Sequence, residues 1–258
     1  MLTSQRKHLI LESLRDNGQI VAKELSLQWE VSEDTIRRDL RELAQEGLLQ
    51  RVHGGAMPTT GAKLASSPAM VDLKGRQKLA QHSKSKLGQA AAKLIKPGQV
   101  VFIDGGTTNA QLVKNLPLSL RATVITHSPT IAVALIEHPE IEVVIIGGKL
   151  FKHSAVTVGA AALDAISRIR TDTYFMGVTG VHAEVGLSTG DLEESYIKRA
   201  LQAVATNTIV LASADKIDTA SPYIICQCQQ VNMILTDATI GDETINSYKE
   251  QKANIKRV

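Results

Sequence analysis

Along the first part of the chain apolar residues recur every three or four positions. Further on they gather in short near-continuous runs, and the two regimes predict two kinds of domain. Leu9, Ile10, Leu11 and Leu14 fit one face of a helix that Ser4 can cap and Asn17-Gly18 ends. A short second helix has Val21, Leu25 and Leu27 to bury and Trp29 near its end, but no Ser, Thr, Asp or Asn directly precedes it as a cap. The third helix is better marked. Ser32 is its N-cap, Glu33 and Asp34 favour the positive end of the helix dipole, and Gly47 closes it. Ile36, Leu40 and Leu43, at i, i+4 and i+7, make its buried stripe. Leu48–Val52 then reads as a strand and His53-Gly54-Gly55-Ala56 as its turn.

Periodicity is lost over residues 57–75, where Pro, Gly, Ser and Thr are frequent, as expected of a linker. A helix from Lys84 to Lys96 stops at Pro97-Gly98. After it, apolar strands (Val100–Asp104, Ala122–Thr126, Ile141–Ile146, Thr173–Val178, Thr208–Ala212, Val231–Thr236) alternate with helical stretches. Strands that are apolar throughout and separated by helices argue a parallel sheet covered on both faces, hence a doubly wound α/β domain. The expected division is a small helical domain over 3–58, a linker over 59–75 and an α/β domain over 76–258.

Composition adds little until charge is followed along the chain. The hydrophobic and charged fractions, 43% and 21%, are those of an ordinary globular protein. No apolar run approaches the roughly 20 residues of a membrane span, and Arg6, Lys7, Glu12 and Arg15 interrupt any signal-peptide core. The only cysteines, Cys226 and Cys228, are too few and too close for a disulfide framework or zinc site and read as packing residues. His82, His138 and His153 lack metal-ligand spacing, so no metal or cofactor is expected, and a reducing cytoplasm is the expected compartment. Net charge is +3, but residues 61–100 hold eight Lys and Arg against one Asp. That asymmetry fits either a polyanion partner or a solvated basic helix face. On the first reading Lys74, Arg76, Lys78, Lys84 and Lys86 lie along a nucleic-acid backbone.

With Ile36, Leu40 and Leu43 inward, the third helix turns Asp34, Thr35, Arg37, Arg38 and Arg41 outward or sideways. Two short helices before it would present this face to a major groove, where arginines read guanine edges and hold phosphates. Ser32 and Thr35 can bond phosphate at the helix start. An exposed amphipathic helix with an Asp34–Arg38 pair has the same pattern.

In the second part, Val100–Ile103 runs into Asp104-Gly105-Gly106-Thr107-Thr108-Asn109 before a helix. Glycines admit an anion close to the backbone, and threonine hydroxyls join the free amides of a helix N-terminus, which suits phosphate. The run is neither a P-loop nor a dinucleotide fingerprint. A tight βα turn with a threonine cap would look the same. Thr126-His127-Ser128, Gly147-Gly148-Lys149, Gly177-Val178-Thr179-Gly180 and Asp215-Lys216 end other strands and would converge on the same rim.

The N-terminal pattern (Arg6, Ile10, Leu14, then Ser32-x-x-Thr35-Ile36-Arg37-Arg38-Asp39-Leu40) resembles the helix-turn-helix of the DeoR family of bacterial transcriptional regulators. Glu46-Gly47-Leu48 and Arg51-Val52-His53-Gly54-Gly55-Ala56 are similar to that family's wing. The resemblance implies that Thr35, Arg37, Arg38 and Arg41 read DNA and that Arg51 and His53 belong to the wing contact. Over about residues 75–240 the motif order also resembles the family's sensor domain: Asp104 to Asn109, Thr126-x-Ser128, Gly147-Gly148, Gly159, Gly177-x-x-Gly180, Gly186-Leu187-Ser188, Glu193/Glu194, Lys198 and Ala214-Asp215-Lys216. The fold implied is a winged helix-turn-helix followed by a mostly parallel α/β domain akin to ribose-5-phosphate isomerase and glucosamine-6-phosphate deaminase. By position, Gly105, Gly106, Thr107, Thr108 and Asn109 would hold phosphate, and Asp104, Glu193 and Lys216 would lie near the sugar. Thr126 and Ser128 join this set, while His127 stands where the family commonly has Asn.

The implied function is a repressor of sugar or polyol genes, released from operator double-stranded DNA by a phosphorylated sugar. It would act as a homo-oligomer, dimer or tetramer, because one winged helix buries too little for high specificity. Two rivals stand beside it. One is a sugar-phosphate isomerase or deaminase using Asp104, Glu193 and Lys216 for proton transfer; the other is a DNA-binding protein whose second domain only oligomerises.

Overall fold

In the computed structural model, residues 3–17, 20–45, 48–52, 54–57, 65–66 and 73–258 are described. The chain forms two compact units, Met1–Ala65 and Ser66–Val258. The first contains α1 (Thr3–Asn17), β1 (Ile20–Val21), α2 (Ala22–Trp29), α3 (Glu33–Gln45), β2 (Gln50–Val52) and β3 (Gly55–Met57). Its strands make an antiparallel sheet in the order β1-β3-β2.

Helix α3 forms as its sequence dictates. Ser32 Oγ accepts from the Thr35 amide at 3.2 Å, and Ile36, Leu40 and Leu43 join Ile10, Leu14, Leu25 and Leu49 in the core. The uncapped start of α2 is supplied instead by β1, which the hydrophobic pattern did not show because it is two residues long. Gly55 makes that short pairing possible: a Cβ there would stand 1.8 Å from Ile20 O. Between α2 and α3 the chain turns through Glu30 in the left-handed region (φ 55°), with the Val31 amide bonded to Ser26 O. Asp39 faces inward and forms a buried ion pair with Arg6, and Lys7 reaches Glu42 at 2.9 Å, so α1 and α3 are joined by charge as well as by packing.

After β4 (Ala65–Ser66), the second unit runs through α4 (Leu73–Lys78), α5 (Gln81–Ala92), β5 (Val100–Ile103), α6 (Thr107–Lys114), β6 (Ala122–Thr126), α7 (Pro129–Leu135) and β7 (Ile141–Ile145). The hairpin β8 (Lys149–Phe151) and β9 (Val156–Val158) leads into α8 (Ala160–Ser167) and β10 (Thr171–Met176). β11 (Gly180–His182) and β12 (Gly186–Thr189) precede α9 (Leu192–Val204) and β13 (Ala205–Ala212). β14 (Thr219–Ala220), β15 (Tyr223–Cys226), β16 (Met233–Thr236), α10 (Asp242–Glu250) and β17 (Ile255–Arg257) complete it.

The main sheet has seven strands in the order β17-β16-β13-β10-β5-β6-β7, paired in parallel throughout. Alternate residues divide between its faces. Val101, Ile103, Val124, Phe175, Leu211 and Leu235 pack under α5, α6 and α7. Phe102, Ile125, Tyr174, Met176, Val210 and Ile234 pack under α8, α9 and α10. Both faces of the inner strands are buried, which is why those strands read as continuous apolar runs. From β5 the chain winds outward through β6 and β7, and from β10 it winds the other way through β13, β16 and β17. The crevice at the carboxyl ends of β5 and β10 is therefore the topological switch point, the usual ligand position in such sheets.

Candidate functional site

Asp104 follows β5 at the switch point and is completely buried. Its Oδ1 accepts from the Gly105 amide (2.7 Å) and His127 Nε2 (2.7 Å). Its Oδ2 accepts from the Tyr174 hydroxyl (2.8 Å), the Gly177 amide (2.9 Å) and the Lys198 ammonium (2.6 Å). Burial alone would raise the Asp104 pKa, but Lys198 and His127 hold it well below the ordinary carboxylate range. His127 Nδ1 lies 2.8 Å from Thr157 O, so both ring nitrogens are turned toward oxygen atoms of the surrounding chain. One carboxylate thus gathers β5, β6, β10 and α9 around a single point. Gly177 allows the close approach, since a Cβ there would stand 2.7 Å from Gly105 O.

Beside this knot opens a cavity lined by Gly105, Gly106, Thr108, Asn109, Glu194 and Lys198 among others, and by Arg76, Ser154 and Thr179 as well. A second cavity of about 320 Å³ shares Arg76, Ser154, Thr179 and Glu194 with it and adds Phe151 and His153. That volume is within the ~300–1,000 Å³ of small-molecule clefts. The wall includes buried polar atoms with no hydrogen-bond partner among the described residues. Thr108 Oγ1 is one; Asn109 Oδ1 is another, its Nδ2 being held by the carbonyls of Asp104 (3.0 Å) and Phe175 (3.1 Å). Their side chains are 3% and 2% exposed. Buried polar atoms left unpaired are costly, so these two mark a place where something else completes the bonding. Arg76 and Lys198 are in the same wall. Burial, then the charges of Lys84, Arg76 and Lys198, lower the Lys216 pKa to about 8 against the opposing attraction of Asp215.

The residues expected from sequence divide accordingly. Gly105, Gly106, Thr108 and Asn109 line the cavity, whereas Thr107, part exposed at the start of α6, is not in its wall. Asp104 lies behind the wall with its carboxylate fully engaged. Thr126 and Ser128 are buried and serve the loop itself: Thr126 Oγ1 accepts from the Ser128 amide (3.1 Å), and Ser128 Oγ donates to Ala155 O (3.0 Å). Lys216 is buried nearby but outside the wall. Glu193 is exposed, and Glu194 takes its place, accepting from Thr189 Oγ1 at 3.0 Å. Asp191 caps α9 by accepting from the Glu194 amide, and its inward stripe is Glu194, Ile197, Lys198 and Leu201. Four-residue spacing back from Lys198 would have chosen Glu194 in the sequence. The basic segment is also corrected in part. Lys84 is buried, donating to Arg76 O and Leu79 O at 2.7 Å each, and Arg76 faces the cavity.

In the first unit Arg37, Arg38 and Arg41 lie on the exposed face of α3. Arg37 is paired with Glu33 at 2.7 Å, while Arg38 and Arg41 make no ion pair with any described residue. The anticipated Asp34–Arg38 pair is replaced by this Glu33–Arg37 pair. Ser32 and Thr35 bond to each other (2.7 Å) in the helix cap, Arg51 is exposed on β2, and His53 lies outside the described residues. Among the described residues there is no cluster suited to a metal ion and no helix long and apolar enough to cross a membrane.

Comparison with known proteins agrees with this division. Residues 6–60 match the DeoR-like helix-turn-helix domain, and residues 79–238 match the DeoR C terminal sensor domain. The chain is 32% identical to the uncharacterized HTH-type transcriptional regulator FruR of Bacillus subtilis, over 97% of both chains. It is 31% identical to the HTH-type transcriptional repressor GlcR of the same organism, over 92% of this chain and 89% of that one. It is 28% identical to the glycerol-3-phosphate regulon repressor of Escherichia coli, over 92% of both. Among solved structures it is similar to ribose 5-phosphate isomerase A of Methanocaldococcus jannaschii (21% identity, TM-score 0.40, 53% of this chain and 54% of that one). On the two family matches and the extent of these relatives, the chain belongs to the DeoR family of transcriptional regulators.

Proposed function

We propose that this regulator represses sugar or polyol genes and leaves its operator when a phosphorylated sugar or polyol enters the cavity at the α6 N-terminus. The observation that carries the reading is the pair of atoms without a partner among the described residues, Thr108 Oγ1 and Asn109 Oδ1, in a cavity that Arg76 and Lys198 also line. The threonine hydroxyl and the free amides of α6 suit phosphate oxygens. Asn109 Oδ1 and the Glu194 carboxylate accept from sugar hydroxyls. The names of the relatives, a glycerol-3-phosphate regulon repressor among them, support the same class of effector. Residues 59–75 would connect the two functional parts, and a homo-oligomer in the cytoplasm would present two winged helices to a symmetric operator. Binding of sugar and operator to different states makes each lower affinity for the other.

The decisive experiment titrates sugar phosphate into the operator complex of the wild type and Thr108→Val. Removing one donor without changing shape should weaken sugar-phosphate affinity by about 1–2 kcal/mol, near tenfold, with operator affinity unchanged in its absence. Release at equal sugar concentration in both proteins defeats the reading. On the DNA side, Arg38→Ala should cost about 1–3 kcal/mol in operator binding if the guanidinium reads a base. A phosphate contact would instead weaken all sequences equally and flatten the salt dependence. Electrophoretic mobility shifts on specific and random duplexes separate these outcomes, and an unchanged operator affinity excludes Arg38 from the interface.

Enzymatic turnover is disfavoured by the site itself. Asp104 is saturated by five donors and Glu193 is exposed, so neither is placed to move a proton on a bound sugar.

A further inference from the structure

Arg76 belongs to α4, the first helix after the segment that joins the two units, and it lines both cavities. α4 has six residues, too short to persist by its own hydrogen bonds. None of the α4 side chains from Leu73 to Gln77 is fully buried, and polar contacts help to hold it in place. At its start the Leu73 amide donates to His153 O at 3.1 Å. Near its end Lys84 Nζ donates to Arg76 O and Leu79 O. Between them Arg76 Nη2 reaches Ser154 Oγ (3.3 Å) and His153 O (3.5 Å), both in the turn between β8 and β9 and both at the long end of the hydrogen-bond range. Lys198 on the same wall is already committed to Asp104 at 2.6 Å. Arg76 carries the planar fork that matches a phosphate dianion, and it lines the same cavity as Thr108.

We propose that Arg76 is an anion-binding residue of this site and that a bound phosphate, held between Arg76 and the α6 N-terminus, fastens α4 to the cavity. Effector occupancy is thereby converted into order at the residues that follow the inter-unit segment. This rests on the phosphate reading of the cavity and adds to it a specific ligand and the element through which binding is felt. It also gives Arg76 and Lys84 a role that sequence charge alone assigned to a nucleic-acid backbone: Arg76 meets the anion, and Lys84, its pKa lowered chiefly by burial, holds the carbonyl end of α4.

Amide hydrogen exchange of the full chain, with and without saturating inorganic phosphate, tests it. In the wild type, phosphate should slow exchange both at residues 105–110 and at residues 73–79. In Arg76→Gln the slowing at 105–110 should persist with phosphate affinity lowered roughly ten- to hundredfold, as for loss of a charged hydrogen bond; the slowing at 73–79 should vanish even at saturation. If Arg76→Gln loosens α4 before phosphate is added, Arg76→Lys is measured instead. It keeps the charge and stem but not the fork, and it should recover only part of the effect. Slowing at 105–110 alone in the wild type, or an undiminished response of 73–79 in both variants, overturns the role of Arg76 while leaving the phosphate site standing. No response at either segment in the wild type removes the site and the proposal together.

Discussion

Replacing Asp104 with asparagine is expected to destabilise the second unit by about 3–5 kcal/mol, because it strips the counter-charge from the buried Lys198 ammonium. The asparagine amide keeps one acceptor oxygen and gains a nitrogen that donates, yet all five groups around the carboxylate are themselves donors. At least one of Lys198, His127 and Tyr174 then meets another donor in a buried place. The lowered pKa of Asp104 fixes the pH dependence. A carboxylate whose folded value lies below its unfolded value contributes fully above the unfolded value, and that contribution is lost as pH falls through the folded one. The wild type should therefore lose stability in acid through Asp104, and Asp104→Asn should lack that part of the acid response. Urea midpoints at pH 7 and pH 3 measure both effects. An equal midpoint for the two proteins at pH 7 would show that the knot is not what holds β5, β10 and α9 together.

That knot also marks where the sequence stops being legible. Six of the seven parallel strands could be anticipated because their apolar runs leave little alternation to misread, whereas the edge strand β17, with Lys256 and Arg257 exposed, carries no such run. Helix α3 could be anticipated because its cap, its acidic first turn and its stripe all agree. Asp104 was visible as the residue before Gly105-Gly106, but its partners were not: Lys198 lies 94 positions away and Tyr174 lies 70 away, on elements whose adjacency only the strand order creates. The short pieces escaped for a different reason. β8, β9, β11 and β12 are three or four residues each, too short for a period to show. Arg76 escaped because charge counted along a chain cannot distinguish a residue that points to solvent from one that lines a cavity. In the DNA-binding unit, Asp39 belonged to the quoted motif beside Arg37 and Arg38, yet it is buried against Arg6. A motif can therefore contain both the residues that face a ligand and those that keep them in place.

The last expectation sets fold stability against ligand affinity at one residue. Lys216 is only 9% exposed, and its pKa lies at about 8 rather than 10.5, chiefly through burial. At about 1.4 kcal/mol per tenfold change in proton affinity, holding the ammonium charged in that place costs the fold up to about 3 kcal/mol. The sign follows from linkage. Below about pH 8 the lysine is charged in both folded and unfolded chains and the cost is complete. Between about 8 and 10.5 only the unfolded chain is charged, so stability rises with pH and the cost disappears. Lys216→Met should therefore raise the urea midpoint at pH 7, with the gain shrinking as pH approaches 10. Its effect on an anionic ligand should be opposite, because a phosphate in the cavity offsets the repulsion that Lys84, Arg76 and Lys198 exert on Lys216. Sugar-phosphate affinity should fall in the same variant that becomes more stable, and in the wild type it should weaken above pH 8 as the ammonium is lost. A Lys216→Met protein that is less stable at pH 7 would mean that attraction to Asp215 outweighs burial, and that the charge belongs to the fold rather than to the ligand.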